Sequence, residues 1–437
     1  MQDADRLREV ANDCVHCGFC LPACPTYQLW AEEMDSPRGR IHLVSQILDG
    51  AGLTPAAAQH FDRCLGCMAC MTACPSGVQY DQLIEAARVW TEEARPTLAA
   101  PADGNRRDRA LRAAIFALFP YPRRLRAVTR PLRAAQRTGL DRRLTRSSLP
   151  GRLPPALGAA IRLGTSGAGR LGPSGAGRLP ERVAARGPRR AVVGMLTGCV
   201  QSVFFPQVNA ATARVLAMEG CDVVIPRGQG CCGALSLHSG REAEAAAFAR
   251  RTIEAFERAD VDAVVVNSAG CGSAMKEYER LLSDVPDWSG RAAAISVRDL
   301  SEFLAELGPA APRHPLPVTA AYHDACHLGH AQRITRQPRE LLRAIPDLTL
   351  VELPDAGTCC GSAGVYNLLQ PEAASELGAR RAQAVLDAHA PLLISANPGC
   401  SLQIAAALSD RGEHVTLAHI AEILDASLRG LPPPTAR

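Results

Sequence analysis

Eight cysteines in two matching runs constrain this 437-residue chain more than any other feature. CVHCGFCLPACP begins at Cys14 and CLGCMACMTACP begins at Cys64, 50 residues later. Each run has three cysteines separated by two residues, then a fourth after three more residues and directly before a proline, which is the spacing that binds iron-sulfur clusters. Thiolates are soft, anionic donors that suit iron in a sulfide cage. The two runs therefore predict two [4Fe-4S] clusters.

The position of the fourth cysteine in each run predicts crossed ligation. The proline that follows turns the chain away from its own loop, so in two-cluster modules the fourth cysteine ligates the other cluster. The first cysteine set is assigned as Cys14, Cys17, Cys20 and Cys74. The second cysteine set is assigned as Cys64, Cys67, Cys70 and Cys24. Zinc knuckles and disulfides are the alternatives, but zinc sites usually pair two short C-x-x-C hooks rather than a triple run.

Composition bounds the cellular setting. No apolar run approaches the roughly 18 residues of a membrane span, and the opening MQDADRLREV lacks the apolar segment of a signal peptide. Seventeen cysteines in a chain without an export signal indicate metal ligation rather than disulfides. We therefore expect a cytoplasmic protein, and a net charge of +4 is too small to indicate a nucleic-acid partner.

Residues 1–95, the N-terminal module, are expected to hold both clusters, with few residues beyond those needed to surround them. SPRGR lies between the two runs and precedes an apolar helix face that should pack over the clusters. Arg38 and Arg40 in this segment have two interpretations. They either lie near a cluster and raise its potential by favouring the reduced state, or they are solvated arginines at a helix start.

The segment 96–190 is strongly basic. It contains 21 arginines and only four acidic residues from Pro101 to Arg190. Its first part predicts basic amphipathic helices. Such helices either bind an acidic partner or an anionic membrane surface, or connect domains and cover one of them. Its later part repeats SGAGRL and predicts a flexible linker. GAGRLG there matches a dinucleotide fingerprint, but no strand precedes it and no helix follows it, so we predict no nucleotide site.

The C-terminal half is an internal repeat, with a first repeat at 191–312 and a second repeat at 313–437. AVVGMLTGCV, CDVVIPRGQGCCG and VDAVVVNSAGCG recur in the same order as PVTAAYHDACH, LTLVELPDAGTCCG and APLLISANPGC. Helical stretches separate these β-rich runs, so each repeat is predicted to be a small αβ unit with a parallel sheet. Every run ends in a cysteine loop, and ligand sites in such sheets lie beyond the carboxyl ends of the strands.

Four cysteines in each repeat are expected to meet in space. In the first repeat they are Cys199, Cys231, Cys232 and Cys271. In the second repeat they are Cys326, Cys359, Cys360 and Cys400. The intervening lengths are 31 and 38 residues in the first repeat and 32 and 39 in the second, so two stretches keep one geometry. Cys221 has no counterpart and is expected to be a buried core residue.

Polar residues near these loops have weaker interpretations. His323, Asp324 and His327 surround Cys326 and could orient ligands, relay protons or bind metal. A histidine beside a cysteine loop is more often a hydrogen-bonding partner of a ligand than a ligand itself, and we favour that role. Asn267 and Asn397 are expected to brace their loops.

With these motifs, the chain resembles the iron-sulfur subunit of bacterial glycolate oxidase over nearly its whole length. The paired runs, the SPRGR segment and the two CCG repeats carry the resemblance. The chain is also similar to the iron-sulfur subunit of anaerobic glycerol-3-phosphate dehydrogenase, lactate-utilisation proteins and heterodisulfide reductase subunits. In heterodisulfide reductases the fullest CCG pattern has a fifth cysteine, at the positions of Ser268 and Asn397 here. Each repeat keeps four thiols, which implies an additional iron-sulfur cluster or zinc.

The resemblance implies a multidomain α+β and α/β fold, with a helical ferredoxin-like module, an Arg-rich linker and two CCG domains. It implies an electron-transfer subunit of a flavin-dependent glycolate or 2-hydroxy-acid dehydrogenase, inactive alone, with FAD on a partner dehydrogenase subunit and a quinone-level acceptor. Contact with the inner face of the cell membrane is a further expectation. The alternatives are a thiol-disulfide oxidoreductase, a lactate or glycerol-3-phosphate dehydrogenase subunit, and a redox-inactive scaffold. The lack of a flavin or nicotinamide fingerprint favours electron transfer.

Overall fold

A computed structural model of the chain describes residues 4–98, 102–138, 140, 155–165 and 179–435. The predicted flexible linker with its SGAGRL copies falls almost entirely on 166–178, outside the described residues. Within the described parts, no helix combines the length and the apolar character needed to cross a membrane.

The N-terminal module is helical. Its α-helices are Ala4–Asn12, Pro25–Trp30, Pro37–Gln46, Pro55–Arg63, Ala69–Ala73 and Tyr80–Ala94, with a short turn at Glu33–Asp35 and a wide turn at Ile47–Ala51. Two helix starts combine a proline with a capping hydroxyl: Ser36 Oγ accepts from Gly39 N at 3.0 Å, and Thr54 Oγ1 accepts from Ala57 N at 3.1 Å. The core of the module is built from buried side chains such as Phe61.

The Arg-rich segment forms helices that lie on the C-terminal half. They are Ala102–Leu118, Pro122–Val128, Arg130–Thr138 and Pro155–Thr165. Phe116 packs with Leu368 of the second repeat in one apolar cluster. The Tyr121 ring lies 5.9 Å from the Phe248 ring of the first repeat. These contacts favour the interpretation of a helix that covers another domain.

Each repeat has its own sheet. The first sheet contains β1 (Arg182–Val183), β2 (Ala191–Leu196), β3 (Cys221–Val224), β4 (Ala263–Val266) and β5 (Val297–Asp299), in the order β1-β3-β2-β4-β5. The second contains β6 (Val318–His323), β7 (Leu348–Glu352), β8 (Leu392–Ser395) and β9 (Thr416–His419), in the order β7-β6-β8-β9. All pairs are parallel except β1 with β3. In the first sheet β2 lies at the centre beside β4, and in the second sheet β6 lies at the centre beside β8. The mixed helical and αβ fold with parallel-rich sheets is therefore confirmed.

Helices flank both sheets. In the first repeat they are Val200–Phe204, Pro206–Met218, Ala234–Leu237, Glu242–Glu257, Ala269–Lys276, Tyr278–Leu281, Pro286–Ala294 and Leu300–Leu307. In the second they are Arg336–Arg343, Tyr366–Leu369, Pro371–Asp387, Pro398–Asp410 and Ile420–Arg429, with a wide turn at His327–Ala331. Cys221 begins β3 and is fully buried, as expected.

The two repeats pack on each other through two pairs of helices. Pro206–Met218 of the first repeat packs on Ile420–Arg429 of the second, and Leu300–Leu307 packs on Arg336–Arg343. At the first of these contacts the Arg214 guanidinium donates two hydrogen bonds, of 2.7 and 2.9 Å, to the Asp425 carboxylate. The repeats therefore form a pair in which the cysteine loops of both lie near their common boundary.

Candidate metal centres

The first cysteine set lines one cavity. Cys14, Cys17, Cys20 and Cys74 all contribute to the wall of an open space of about 420 Å³. Cys17 is exposed, and two large apolar side chains beside it, Val15 and Phe19, are 69% and 67% exposed. The cavity thus opens on a surface that has an apolar rim. Cys74, from the second run, shares it with three cysteines of the first, and Cys70 of the second set also lines it.

The second cysteine set is buried between helices of the module. Its members, Cys24, Cys64, Cys67 and Cys70, are all less than 9% exposed. Burial raises the pKa of the Cys67 and Cys70 thiols well above the ordinary value, and the other thiolates of the set raise it further. Four thiolates would therefore repel one another here, and a cation among them would remove that cost. The donor set fits a metal cluster on chemical grounds.

Two arginines place positive charge beside the second set. Burial alone would raise the pKa of Cys64, but Arg40 and Arg88 hold it below the ordinary value. Arg40 is 1% exposed and donates to the Asp35 carbonyl oxygen at 2.5 Å. Arg88 donates to the Cys64 carbonyl oxygen at 2.7 Å. Arg40 is therefore not a solvated helix-start residue. Arg38 donates to Glu33 at 2.6 Å and lines the first cavity, so it lies near the first cysteine set.

The four cysteines of the first repeat meet as the repeat pattern predicts. Cys199 Sγ lies 3.5 Å from Cys231 Sγ, and side-chain contacts continue from Cys231 to Cys232 and on to Cys271. Gly233 allows this turn, because its φ is +85° and an added Cβ would lie 3.0 Å from the Ala245 carbonyl oxygen. Phe248 and Tyr121 pack beside these thiols, and Tyr121 is the residue of the Arg-rich segment that directly precedes the helix Pro122–Val128.

The four cysteines of the second repeat also meet. Side-chain contacts run from Cys326 to Cys359, then to Cys360 and Cys400. His323, the last residue of β6, lies beside Cys360 and Cys400, with one ligand atom of each within 4.8 Å of the others. Burial, with the charge of Arg381, lowers the pKa of His323 to about 3, so its imidazole is neutral.

The second cysteine set packs directly against the second repeat. Cys67 and Cys359 belong to one buried apolar cluster, which also contains Leu65 and Leu377 and has Cys326 at its edge. His327 Nε2 lies 2.9 Å from the carbonyl oxygen of Gly66 in the loop of the second run. The sequence carries no signal for this contact, because the two residues are 261 positions apart. It depends on how the module docks.

The remaining polar candidates brace loops. Asn267 Nδ2 donates to Asn209 Oδ1 at 2.8 Å, and Asn397 Nδ2 lies 3.3 Å from Cys400 Sγ. Asp324 accepts two hydrogen bonds from Arg339, at 2.7 and 2.9 Å. The sequence interpretation missed Arg88 and Arg381, since both lie on ordinary amphipathic helices.

Comparison with known families covers most of the chain. A model described as "4Fe-4S dicluster domain" matches residues 10–78. One described as "Glycolate oxidase iron-sulfur subunit, linker region" matches residues 107–163. A "Cysteine-rich domain" model matches twice, at residues 193–276 and 320–405. The two cysteine-rich matches contain the two four-cysteine sites of the repeats.

Two relatives are similar to this chain over nearly its whole length. A protein of Bacillus subtilis (strain 168) named "Probable glycolate oxidase iron-sulfur subunit" is 36% identical over 94% of this chain and 93% of its own length. The "Glycolate oxidase iron-sulfur subunit" of Escherichia coli (strain K12) is 33% identical over 96% and 94%. A "Lactate utilization protein A" of an Exiguobacterium strain is 31% identical over 54% of this chain and 98% of its own length. The chain therefore belongs to the family of glycolate oxidase iron-sulfur subunits.

Proposed function

We propose that this chain is the electron-transfer subunit of a flavin-dependent glycolate or related 2-hydroxy-acid dehydrogenase complex. It takes electrons from a partner subunit that carries FAD and delivers them to a quinone-level acceptor. It does not oxidise the hydroxy acid by itself, because its sequence offers no believable flavin or nicotinamide loop. The proposal includes peripheral contact with a membrane, where a quinone would be met.

One observation carries the proposal: three cysteine groups adjoin one another from the surface to the interior. The first set opens on the surface at Cys17. Cys20 of that set neighbours Cys24 and Cys70 of the second set. Cys67 of the second set packs against Cys359 of the second repeat. A continuous series of metal-ligating thiols is what an electron carrier needs and what a substrate-binding domain does not.

The residue assignments follow from the same arrangement. We propose that the first set holds one [4Fe-4S] cluster and the second set the other, with Cys74 and Cys24 crossing between runs. The four-cysteine sites of the repeats are proposed to hold an additional iron-sulfur cluster or zinc. Bound clusters accept and release single electrons, which divides the two-electron oxidation of a reduced flavin into one-electron steps. The domain bounds we propose are 1–95, 96–190, 191–312 and 313–437.

The two cysteine sets differ in burial, and we propose that they therefore have different roles. The exposed first set, with Val15 and Phe19 at its rim, is the part that can approach a partner. The second set is enclosed by protein, and Arg40 supplies a fixed positive charge beside it. A positive charge stabilises the more negative, reduced form of a neighbouring cluster and raises its potential. Arg38 also lines the first cavity, so it is the exposure of Cys17 rather than charge that makes the first set the proposed entry point for electrons.

Reconstitution tests the proposal. The chain is purified anaerobically, mixed with its flavoprotein dehydrogenase, and assayed for acceptor reduction with glycolate, D-lactate and glycerol 3-phosphate. We expect no turnover by the chain alone and restored electron flow in the mixture. Substrate oxidation by the chain alone, or a flavoprotein rate that does not change on its addition, would replace this proposal with the thiol-disulfide alternative. The three substrates distinguish glycolate from the lactate and glycerol-phosphate alternatives.

A further inference from the structure

The cysteine sites of the two repeats are not equivalent, although their thiols are arranged alike. β2 and β6 are matching six-residue strands, and the first cysteine of each site, Cys199 or Cys326, lies three residues after the strand ends. The last residue of β2 is Leu196, whereas the last residue of β6 is His323. Leu196 packs with Cys232 in an apolar cluster. The second site therefore has an imidazole where the first has an alkyl group.

The imidazole of His323 has no partner other than the thiols. The residue is 1% exposed, and neither Nδ1 nor Nε2 makes a hydrogen bond to any described residue. Burying a polar ring without a hydrogen bond is unfavourable, so an unpartnered buried histidine needs a reason. One of its nitrogens lies within 4.8 Å of Cys360 Sγ and Cys400 Sγ, which are themselves within that distance of each other. The ring is aimed into the cysteine site.

A second difference between the sites supports the same conclusion. Added Cβ atoms on the two turn glycines would meet equivalent helix positions, Phe248 in the first repeat and Leu377 in the second. One turn further along the helices, the first repeat has Thr252 and the second has Arg381. Arg381 is 3% exposed and lies near Cys359, Cys360 and Cys400. A buried guanidinium beside three thiols fits an anionic thiolate centre in the second repeat alone.

We propose that the second repeat binds its metal through mixed nitrogen and sulfur ligands, with His323 joining Cys360 and Cys400, while the first repeat is limited to thiolates. This deepens the proposed function, since it rests on the second repeat being a metal site. The class of metal is iron or zinc, both of which accept imidazole together with thiolate. If the metal is iron, an imidazole ligand in place of one of the thiolates available at the site gives a less negative centre with a higher reduction potential than thiolates alone. The centre next to the second cysteine set would then be the better electron acceptor of the two repeats.

The experiment uses the full-length chain, reconstituted anaerobically with labelled [¹⁵N]histidine and with unlabelled histidine. Iron and zinc per chain are counted for the parent and for Cys360→Ser, which assigns the metal to the second repeat. If that metal is iron, pulsed electron paramagnetic resonance detects nitrogen bound to it. If it is zinc, X-ray absorption at the zinc edge counts nitrogen and sulfur neighbours. The parent should show one histidine nitrogen bound per chain.

Variants decide the assignment. His323→Ala and His323→Cys should both lose the nitrogen signal, and His323→Cys should keep the metal because it supplies a thiolate, which guards against a simple folding failure. The matched control is His330→Ala, four residues after Cys326, whose ring nitrogens contact Thr72 and Gly357 instead. A nitrogen signal that survives in His323→Cys, or is absent from the parent, overturns the proposal. So does a metal count that Cys360→Ser leaves unchanged. Electron transfer from the flavoprotein is measured separately, so the two proposals can fail independently.

Discussion

Nη2 of Arg280, in the first repeat, lies 2.6 Å from Oε2 of Glu85, in the N-terminal module. Glu85 is only 2% exposed, and His238 of the first repeat also faces its carboxylate, at 3.8 Å. Removing the charge of this buried carboxylate breaks its ion pair with Arg280, which keeps its second acceptor, Glu277, at 2.9 Å. We expect Glu85→Gln to lower the free energy of unfolding by about 1–3 kcal/mol, measured by urea titration. Glu93→Gln, at an exposed position of the same helix, is the control and should have little effect.

The same pair has a defined pH dependence. Burial alone would raise the pKa of Glu85, but His238 and Arg280 lower it to about 2. A folded-state pKa below the unfolded value of about 4.3 means that the stabilisation is complete above that pH. It is lost as the pH falls from about 4.3 towards 2. The stability difference between the parent and Glu85→Gln should therefore shrink over that window, and a constant difference would contradict the assignment.

Gly240 is required by the close approach of the first repeat to the module. Its φ is +76°, and an added Cβ would lie 2.2 Å from the carbonyl oxygen of Arg88. Gly228 has a φ of +98° but no atom within 4 Å of an added Cβ. Both alanine variants incur a backbone cost of about 1–2 kcal/mol. Only Gly240→Ala adds a backbone clash, so it should be about 1–3 kcal/mol less stable than Gly228→Ala. Thermal unfolding of the two proteins provides the comparison, and equal loss would show that the module sits elsewhere.

Crossed ligation is tested by iron counting. In the parent, two four-iron clusters require about eight irons per chain in the module. Because Cys14 and Cys74 line one cavity, the double variant Cys14→Ser/Cys74→Ser should lose one cluster and keep about four irons there. If each run held its own cluster, the double variant would lose both. Cys221→Ala replaces a buried core thiol and should leave the iron content unchanged.

Partner docking should depend on the apolar rim of the first cavity. We expect Phe19→Ser to raise the flavoprotein concentration needed for half-maximal acceptor reduction about tenfold, which corresponds to about 1.4 kcal/mol of binding free energy. The maximal rate at saturating partner should change little, because the cysteines are untouched. Leu431→Ser, at another exposed apolar position, is the control. An unchanged concentration dependence for Phe19→Ser would place the docking surface away from the first set.

The sequence predicted the cysteine groupings because ligand spacing is written along the chain. The spacing of the fourth cysteine and the proline after it predict that Cys74 belongs with the first set. Cys74 does line a cavity with Cys14, and Cys70 of the second set lines it too, so the crossed ligation stays a prediction. The repeat lengths likewise predicted that Cys199 and Cys231 would meet. What the sequence could not predict is docking: the contact of Cys67 with Cys359 joins distant segments and has no periodic pattern. The sequence offers His323 as a candidate but favours a hydrogen-bonding role for it. Only the fold shows that neither ring nitrogen has a hydrogen-bond partner among the described residues.

The burial of Cys67 against Cys359 also bears on when metal can be inserted relative to the docking of the module on the second repeat. Both thiols are enclosed once the N-terminal module rests on the second repeat, and each is less than 9% exposed. Scaffold or carrier proteins that deliver iron and sulfide cannot reach them in the closed molecule. If these thiols hold metal as proposed, the inner positions would have to be loaded while the two parts are still separate, whereas the outer position at Cys17 is exposed and would stay open to late insertion or repair. A chain that closes too early would be trapped as a stable, metal-deficient product.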